Sequence, residues 1–221
     1  VGLGGGLAVS IKAVIFDFDG VLVESVDVKT AAFAAMYNKY GAEVVAQVVS
    51  YHLQHGGMSR YEKFRYYEKI LLGHDIGPED EQKLGDLFSS LVMDAVINAP
   101  WVNGAQDFLS ANYRERDLFV ASGTPEPEMI EIVKRRQMEH FFVSIHGAPA
   151  SKKEIIEAIC RDHDYDRNCV LMVGDSLTDY EGACNAGVRF IGRKSGSASL
   201  FPPGIVVLPD LTDLHNYCAA Q

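Results

Sequence analysis

Two acidic pairs are the first candidates for chemistry in this chain. Asp17-Phe18-Asp19-Gly20 ends the apolar run KAVIF. Continuing a strand's period of two puts Asp17 and Asp19 on one side and Phe16 and Phe18 on the other. Acids placed there are costly unless a positive group meets them, although a solvated Asp-Gly turn would look the same. The second pair, Asp175 and Asp179 in GDSLTD, follows the run CVLMV. Asp175 stands before a helix and Asp179 one turn inside it, so both carboxylates can aim at one point. Ser176 and Asp179 also spell a plain capping box.

Two further segments offer the complementary chemistry. Ser151-Lys152-Lys153-Glu154 reads as a capping box that places two lysines in a first helical turn, where the macrodipole disfavours cations. Either these lysines are simply exposed, or one is held there to meet an anion. In Val120-Ala121-Ser122-Gly123-Thr124-Pro125, the Ser122 hydroxyl and the amides of Gly123 and Thr124 could cradle an anion. Four carboxylates against one lysine and one divalent cation leave a single negative charge, which a proton on Asp19 would cancel. The constellation therefore predicts a metal and an acid of raised pKa. Oxygen-only donors point to Mg²⁺ rather than zinc.

The elements that must position these residues are legible in the hydropathy pattern. After the first run, residues 118–121, 142–145, 169–173, 188–191 and 205–208 are short apolar stretches of the length of buried parallel strands. Helical patterns over 103–114, 125–138, 151–163 and 176–186 separate most of them. The alternation predicts an α/β fold with a doubly wound, Rossmann-like parallel sheet. Residues 24–99 break it with helical periodicity alone, at 27–40, 43–53, 59–72 and 79–97. The expected organisation is an α/β core of residues 11–23 and 100–221, with an inserted α-helical cap over its carboxyl edge. Glu24 and Ala99-Pro100 are the expected hinges.

Within the cap, Gly56-Gly57-Met58-Ser59-Arg60-Tyr61-Glu62 combines glycines with a further capping-box pattern and an arginine in its first turn. Arg60 is the expected partner of a carboxylate or phosphate. The stripe Tyr61, Phe64, Tyr67 and Leu71 reads as cap core. His52 and His55 could face one another, but no third nitrogen or sulfur ligand is in sight, so packing or a place at the substrate's edge is expected.

Composition limits the partners. Thirty acidic against 20 basic residues give a formal charge of −10, which argues against nucleic acid or an anionic membrane. Four cysteines without C-x-x-C spacing suit a reducing cytoplasm. No apolar run approaches the ~18 residues of a membrane span. The opening VGLGGGLAVS reads as a flexible leader over residues 1–10.

In order, DFDGVLVES, VASGTP, the SKKE lysine and GDSLTD resemble the four motifs of the haloacid dehalogenase-like hydrolase superfamily. The spacing after the first is similar to the helical-cap subgroup that includes phosphoglycolate phosphatases and β-phosphoglucomutase. The resemblance implies that Asp17 is the nucleophile, forming an aspartyl phosphate, and Asp19 the general acid and base. It implies that Ser122 and Lys152 hold the phosphoryl group, beside the Gly123 and Thr124 amides of the anion cradle, and that Arg60 holds a second group of the substrate. Mg²⁺ would sit on Asp17, the Asp19 main chain and Asp175, with Asp179 in support. The expected activity is phosphatase action on a small phosphorylated metabolite such as phosphoglycolate or a sugar phosphate, by a monomer or homodimer. A phosphoglucomutase-like transferase is the alternative. A carboxylate meeting a phosphate dianion at 4 Å is repelled by roughly 8 kcal/mol at an effective dielectric of 20, which is what the metal and lysine would offset.

Overall fold

A computed structural model describes residues 10–194 and 201–219. The expected leader lies, apart from Ser10, outside the described residues. Six parallel strands, β1 (Ala13–Phe16), β2 (Asp117–Pro125), β3 (Ser144–Ala148), β4 (Val170–Gly174), β5 (Arg189–Arg193) and β6 (Val207–Leu208), form one sheet in the order β3-β2-β1-β4-β5-β6. All four residues of β1 are fully buried, as its unbroken apolar run requires between two covered faces. From β1 the chain winds outward through β2 and β3, then returns to β1's other flank for β4. The winding direction thus reverses at β1, and a crevice opens at its carboxyl end.

Among the described residues, the helices of this part are α5 (Ala105–Asn112), α6 (Glu126–Arg135), α7 (Lys152–Asp162), α8 (Leu177–Ala186) and the short α9 (His215–Cys218), the last not signalled by any periodicity. The sheet differs from expectation at β3, which begins two residues late. Phe142 and Val143 only lead in from a 3₁₀ turn at Glu139–Phe141, whereas the strand continues through His146-Gly147-Ala148 because β2 supplies ladder partners there.

The helices of the insertion, between Glu24 and Ala99, are α1 (Val26–Tyr37), α2 (Ala42–Gln54), α3 (Arg60–Tyr66), which continues as a wider π turn at Tyr67–Leu71, and α4 (Pro78–Ile97). They pack around Phe33, whose ring lies 4.4 Å from Phe88, 5.8 Å from Phe64 and 5.7 Å from Tyr67. The buried face of α3 is turned relative to the expected stripe. Arg60, Lys63, Phe64 and Tyr67 are buried, while Tyr61 and Leu71 are only partly so.

Both linkers into the insertion are tied to each other. Glu24 N–H donates to the Pro100 carbonyl at 2.9 Å and Val102 N–H to Leu22 at 3.0 Å. Arg136, at the end of α6, donates from Nη1 to the carbonyls of Val96, Ile97 and Ala99 at 2.6–3.0 Å. Arg193 grips Glu24 through both terminal nitrogens and also reaches the Gly20 carbonyl.

Candidate active site

Asp17 is the first residue beyond β1, and its amide extends the ladder to the Val173 carbonyl at 2.9 Å. The side chain is buried. Its Oδ1 accepts from Lys152 Nζ at 2.7 Å, and the same ammonium donates to the Ala121 carbonyl at 2.6 Å and ion-pairs with Asp179 at 2.7 Å. The capping box of Ser151 and Glu154 forms as the spacing predicts and sends Lys152 inward. Lys153 instead stays half exposed beside Glu157. The macrodipole penalty on Lys152 is outweighed by two buried carboxylates. Although burial works against it, these carboxylates hold the Lys152 ammonium above its ordinary pKa.

The second acidic pair arrives from β4. Asp179 is fully buried, and its Oδ2 accepts from both the amide and the hydroxyl of Ser176, completing the expected capping box. A methyl group on Gly174 would lie 2.2 Å from Asp179 Cβ, and one on Gly20 2.2 Å from Asp175 Oδ2, so both glycines permit the acids' close approach. Asp17, Asp175 and Asp179 each bring an oxygen within 4.8 Å of the others. Burial, with the nearby charges of Asp179 and Asp19, pushes the Asp17 carboxyl above the usual range despite Lys152. An acidic cluster that one lysine leaves short of neutral, built from hard oxygen donors, fits a divalent cation.

Asp19 departs from expectation. Burial raises its pKa, but the Lys29 ammonium at 2.5 Å, the Ser25 hydroxyl at 2.6 Å and the more distant Arg60 charge outweigh this and leave it lowered. The motifs alone leave Asp19 without a cation, and Lys29, which lies outside them, supplies one. Lys29 also donates to Thr124 Oγ1 at 2.8 Å. Its signal in the sequence is its place on α1: Phe33 and Tyr37, four and eight residues on, are both buried, so Lys29 lies on the apolar face.

Ser122 is buried and its Oγ accepts from the Thr124 amide at 3.1 Å. A methyl group on Gly123 would meet the Gly57 carbonyl at 2.4 Å, which places the insertion's glycine pair directly over the end of β2. The cavity beneath, about 390 Å³, is bordered by Asp17, Asp19, Gly123, Thr124 and Asp175 from the sheet and by Lys29, His52, Arg60 and Lys63 from the helices.

Arg60 also differs from expectation. It borders the cavity, but its guanidinium makes two hydrogen bonds to Glu128 of α6 at 2.6 and 2.9 Å and one to Ser89 at 2.7 Å. Its charge is thus already met by a residue 68 positions away. The Ser59 hydroxyl accepts from the Tyr61 amide at 3.4 Å rather than forming a box with Glu62. His52 packs on Phe33 and His55 stacks on Tyr51.

The sequence profile of the haloacid dehalogenase-like hydrolase family matches residues 14–193, a span that holds every residue of this constellation. The chain belongs to that family. A comparison with curated protein sequences gives no significant match. Among solved structures, a predicted phosphoglycolate phosphatase from Haemophilus somnus is 17% identical with a TM-score of 0.73, covering 95% of this chain and 98% of that one. A candidate β-phosphoglucomutase from Bacteroides vulgatus is 16% identical with a TM-score of 0.76, over 95% and 88%. CbbY from Rhodobacter sphaeroides, in complex with phosphate, is 20% identical with a TM-score of 0.69, over 92% and 96%. At these identities the likeness is one of fold: a Rossmann-like haloacid dehalogenase-like hydrolase with helices inserted after its first strand.

Proposed function

We propose that the chain is a Mg²⁺-dependent phosphatase that hydrolyses a small organic phosphate monoester through an aspartyl phosphate on Asp17. The observation that carries this reading is the buried Asp17–Lys152 contact beside Asp175 and Asp179, at the inner end of a cavity roofed by helices. Asp17, Asp175 and the Asp19 main-chain carbonyl, with Asp179 in support, are the oxygens that would hold Mg²⁺. When bound, the ion supplies the positive charge that lets two anions meet.

In this reading an Asp17 oxygen attacks phosphorus while Lys152, the Ser122 hydroxyl and the Gly123 amide stabilise the phosphoryl oxygens, with the Thr124 amide holding the Ser122 oxygen in place. Asp19 gives a proton to the leaving oxygen and then takes one from the water that cleaves the acyl phosphate. The Lys29 contact favours the carboxylate form of Asp19, the one required for the second half; for the first half Asp19 takes up a proton from solvent or from the substrate monoanion before passing it to the leaving oxygen. The predicted localisation is cytoplasmic; no helix among the described residues is long and apolar enough to cross a membrane.

The test is phosphate release from p-nitrophenyl phosphate and from a panel of phosphorylated metabolites, with Mg²⁺ and with chelator. Release that depends on Mg²⁺, and that Asp17→Asn lowers by about 10³-fold or more, is the expected result. Turnover by Asp17→Asn within tenfold of the wild type would remove Asp17 as nucleophile. Conversion of a phosphosugar to its isomer without free phosphate would replace the phosphatase with a mutase.

A further inference from the structure

The cavity is bordered by a lysine that the proposed phosphoryl chemistry does not use. Lys63, on α3, has only 3% of its surface exposed and borders the cavity from the side of the inserted helices. Among the described residues it has no carboxylate partner. Its Nζ lies 2.9 Å from His52 Nδ1 and 5.7 Å from the centre of the Phe33 ring. The other cations bordering the cavity are committed: Lys29 to Asp19 and Arg60 to Glu128.

His52 cannot neutralise Lys63. It is buried, and burial together with the charges of Lys63 and Lys29 lowers its pKa to about 3, so the ring is neutral. With Nδ1 accepting from the ammonium, the ring proton belongs on Nε2. The Val26 carbonyl acts on the ring, but Nε2 makes no hydrogen bond of normal geometry. His52 therefore fixes the direction of the Lys63 amine and offers it no opposite charge. A buried ammonium beside a cavity, held by a neutral acceptor, favours an anion that enters that cavity.

We propose that Lys63, oriented by His52, is the specificity subsite for a carboxylate at the end of the substrate remote from its phosphoryl group. This rests on the phosphatase reading for the identity of the other end. One uncommitted amine, whose charged form a neighbouring anion favours, matches a carboxylate; a second phosphate dianion would bring surplus negative charge into a cavity already bordered by Asp17, Asp19 and Asp175. The cavity falls within the range of about 300–1,000 Å³ that holds small ligands, so an acid of several carbons is accommodated. The substrate class is a phosphorylated hydroxy or sugar acid rather than a neutral sugar phosphate.

Two matched pairs of esters test this: 3-phosphoglycerate against glycerol 3-phosphate, and 6-phosphogluconate against glucose 6-phosphate. Affinities are measured by calorimetry on Asp17→Asn with Mg²⁺, and KM and kcat on the wild type. The wild type should favour the carboxylate member of at least one pair by about tenfold or more in KM. Lys63→Met should erase that preference, and Lys63→Arg should keep part of it. Equal treatment of both members of both pairs by the wild type would overturn the subsite, whether or not the variants fold. So would an equal loss on both members in Lys63→Met. No phosphate release from any ester, together with retained preference in binding, would sink the phosphatase reading and leave the subsite standing.

Discussion

At the scale of single residues, the site is governed by which charges find partners. Lys152 touches two carboxylates and a carbonyl, Lys29 one carboxylate and a hydroxyl, and Lys63, among the described residues, a neutral imidazole and the face of Phe33. Burial and then the Lys29 charge lower the Lys63 pKa from 10.5 to about 7, against the pull of Asp19, Asp175 and Asp17. Between those values the unfolded chain binds a proton that the folded chain does not, so this group makes stability rise with pH across that window. Relative to Lys63→Met, the wild-type protein should therefore gain melting temperature from pH 7 to pH 10. A difference that stays constant over this range would show that Lys63 keeps an ordinary pKa when folded.

At the scale of elements, the inserted helices are tied to the sheet by residues outside the motifs. Arg136 covers three carbonyls at the end of α4, which a helix terminus would otherwise leave to water, and its guanidinium lies 5.2 Å from the Trp101 ring. Arg136→Ala should cost about 2–4 kcal/mol in urea denaturation, since several bonds from a charged, partly buried donor are lost together. A loss below about 0.5 kcal/mol would mean that water replaces the arginine without penalty. The capping boxes at Ser151 and Ser176 act differently: each sets where a helix begins and so where Lys152 and Asp179 point.

For the whole molecule, one continuous buried cluster runs from Phe16 and Phe108 beside the sheet to Phe33, Phe64 and Phe88 among the inserted helices. Polar contact across the same boundary comes from Glu128, which joins α6 to Arg60 of α3 and Ser89 of α4. Removing one member of such a buried pair leaves an uncompensated charge and typically costs about 3–5 kcal/mol. Glu128→Ala should therefore raise amide exchange in α3 and α4 while β1, β2 and β4 remain protected. An equal loss of protection in the sheet would make the pair a support of the entire fold rather than of one boundary.

Local physics made much of this protein legible in its sequence. Unbroken apolar runs must be buried strands, and acids just past them must lie at the sheet's edge. A serine three residues before a glutamate or aspartate starts a helix, so Asp17, Lys152, Asp175 and Asp179 could be placed from signals spanning a turn or less. The partner of each cation could not. Arg60 and Glu128 are 68 residues apart, Lys29 and Thr124 are 95 apart, and no short-range pattern relates either pair. Lys63 carried only the hint of a charge among buried aromatics on α3. Whether such a charge is cancelled, shared or left to a ligand depends on what the chain brings within about 3 Å of it, and that is decided only when distant segments pack.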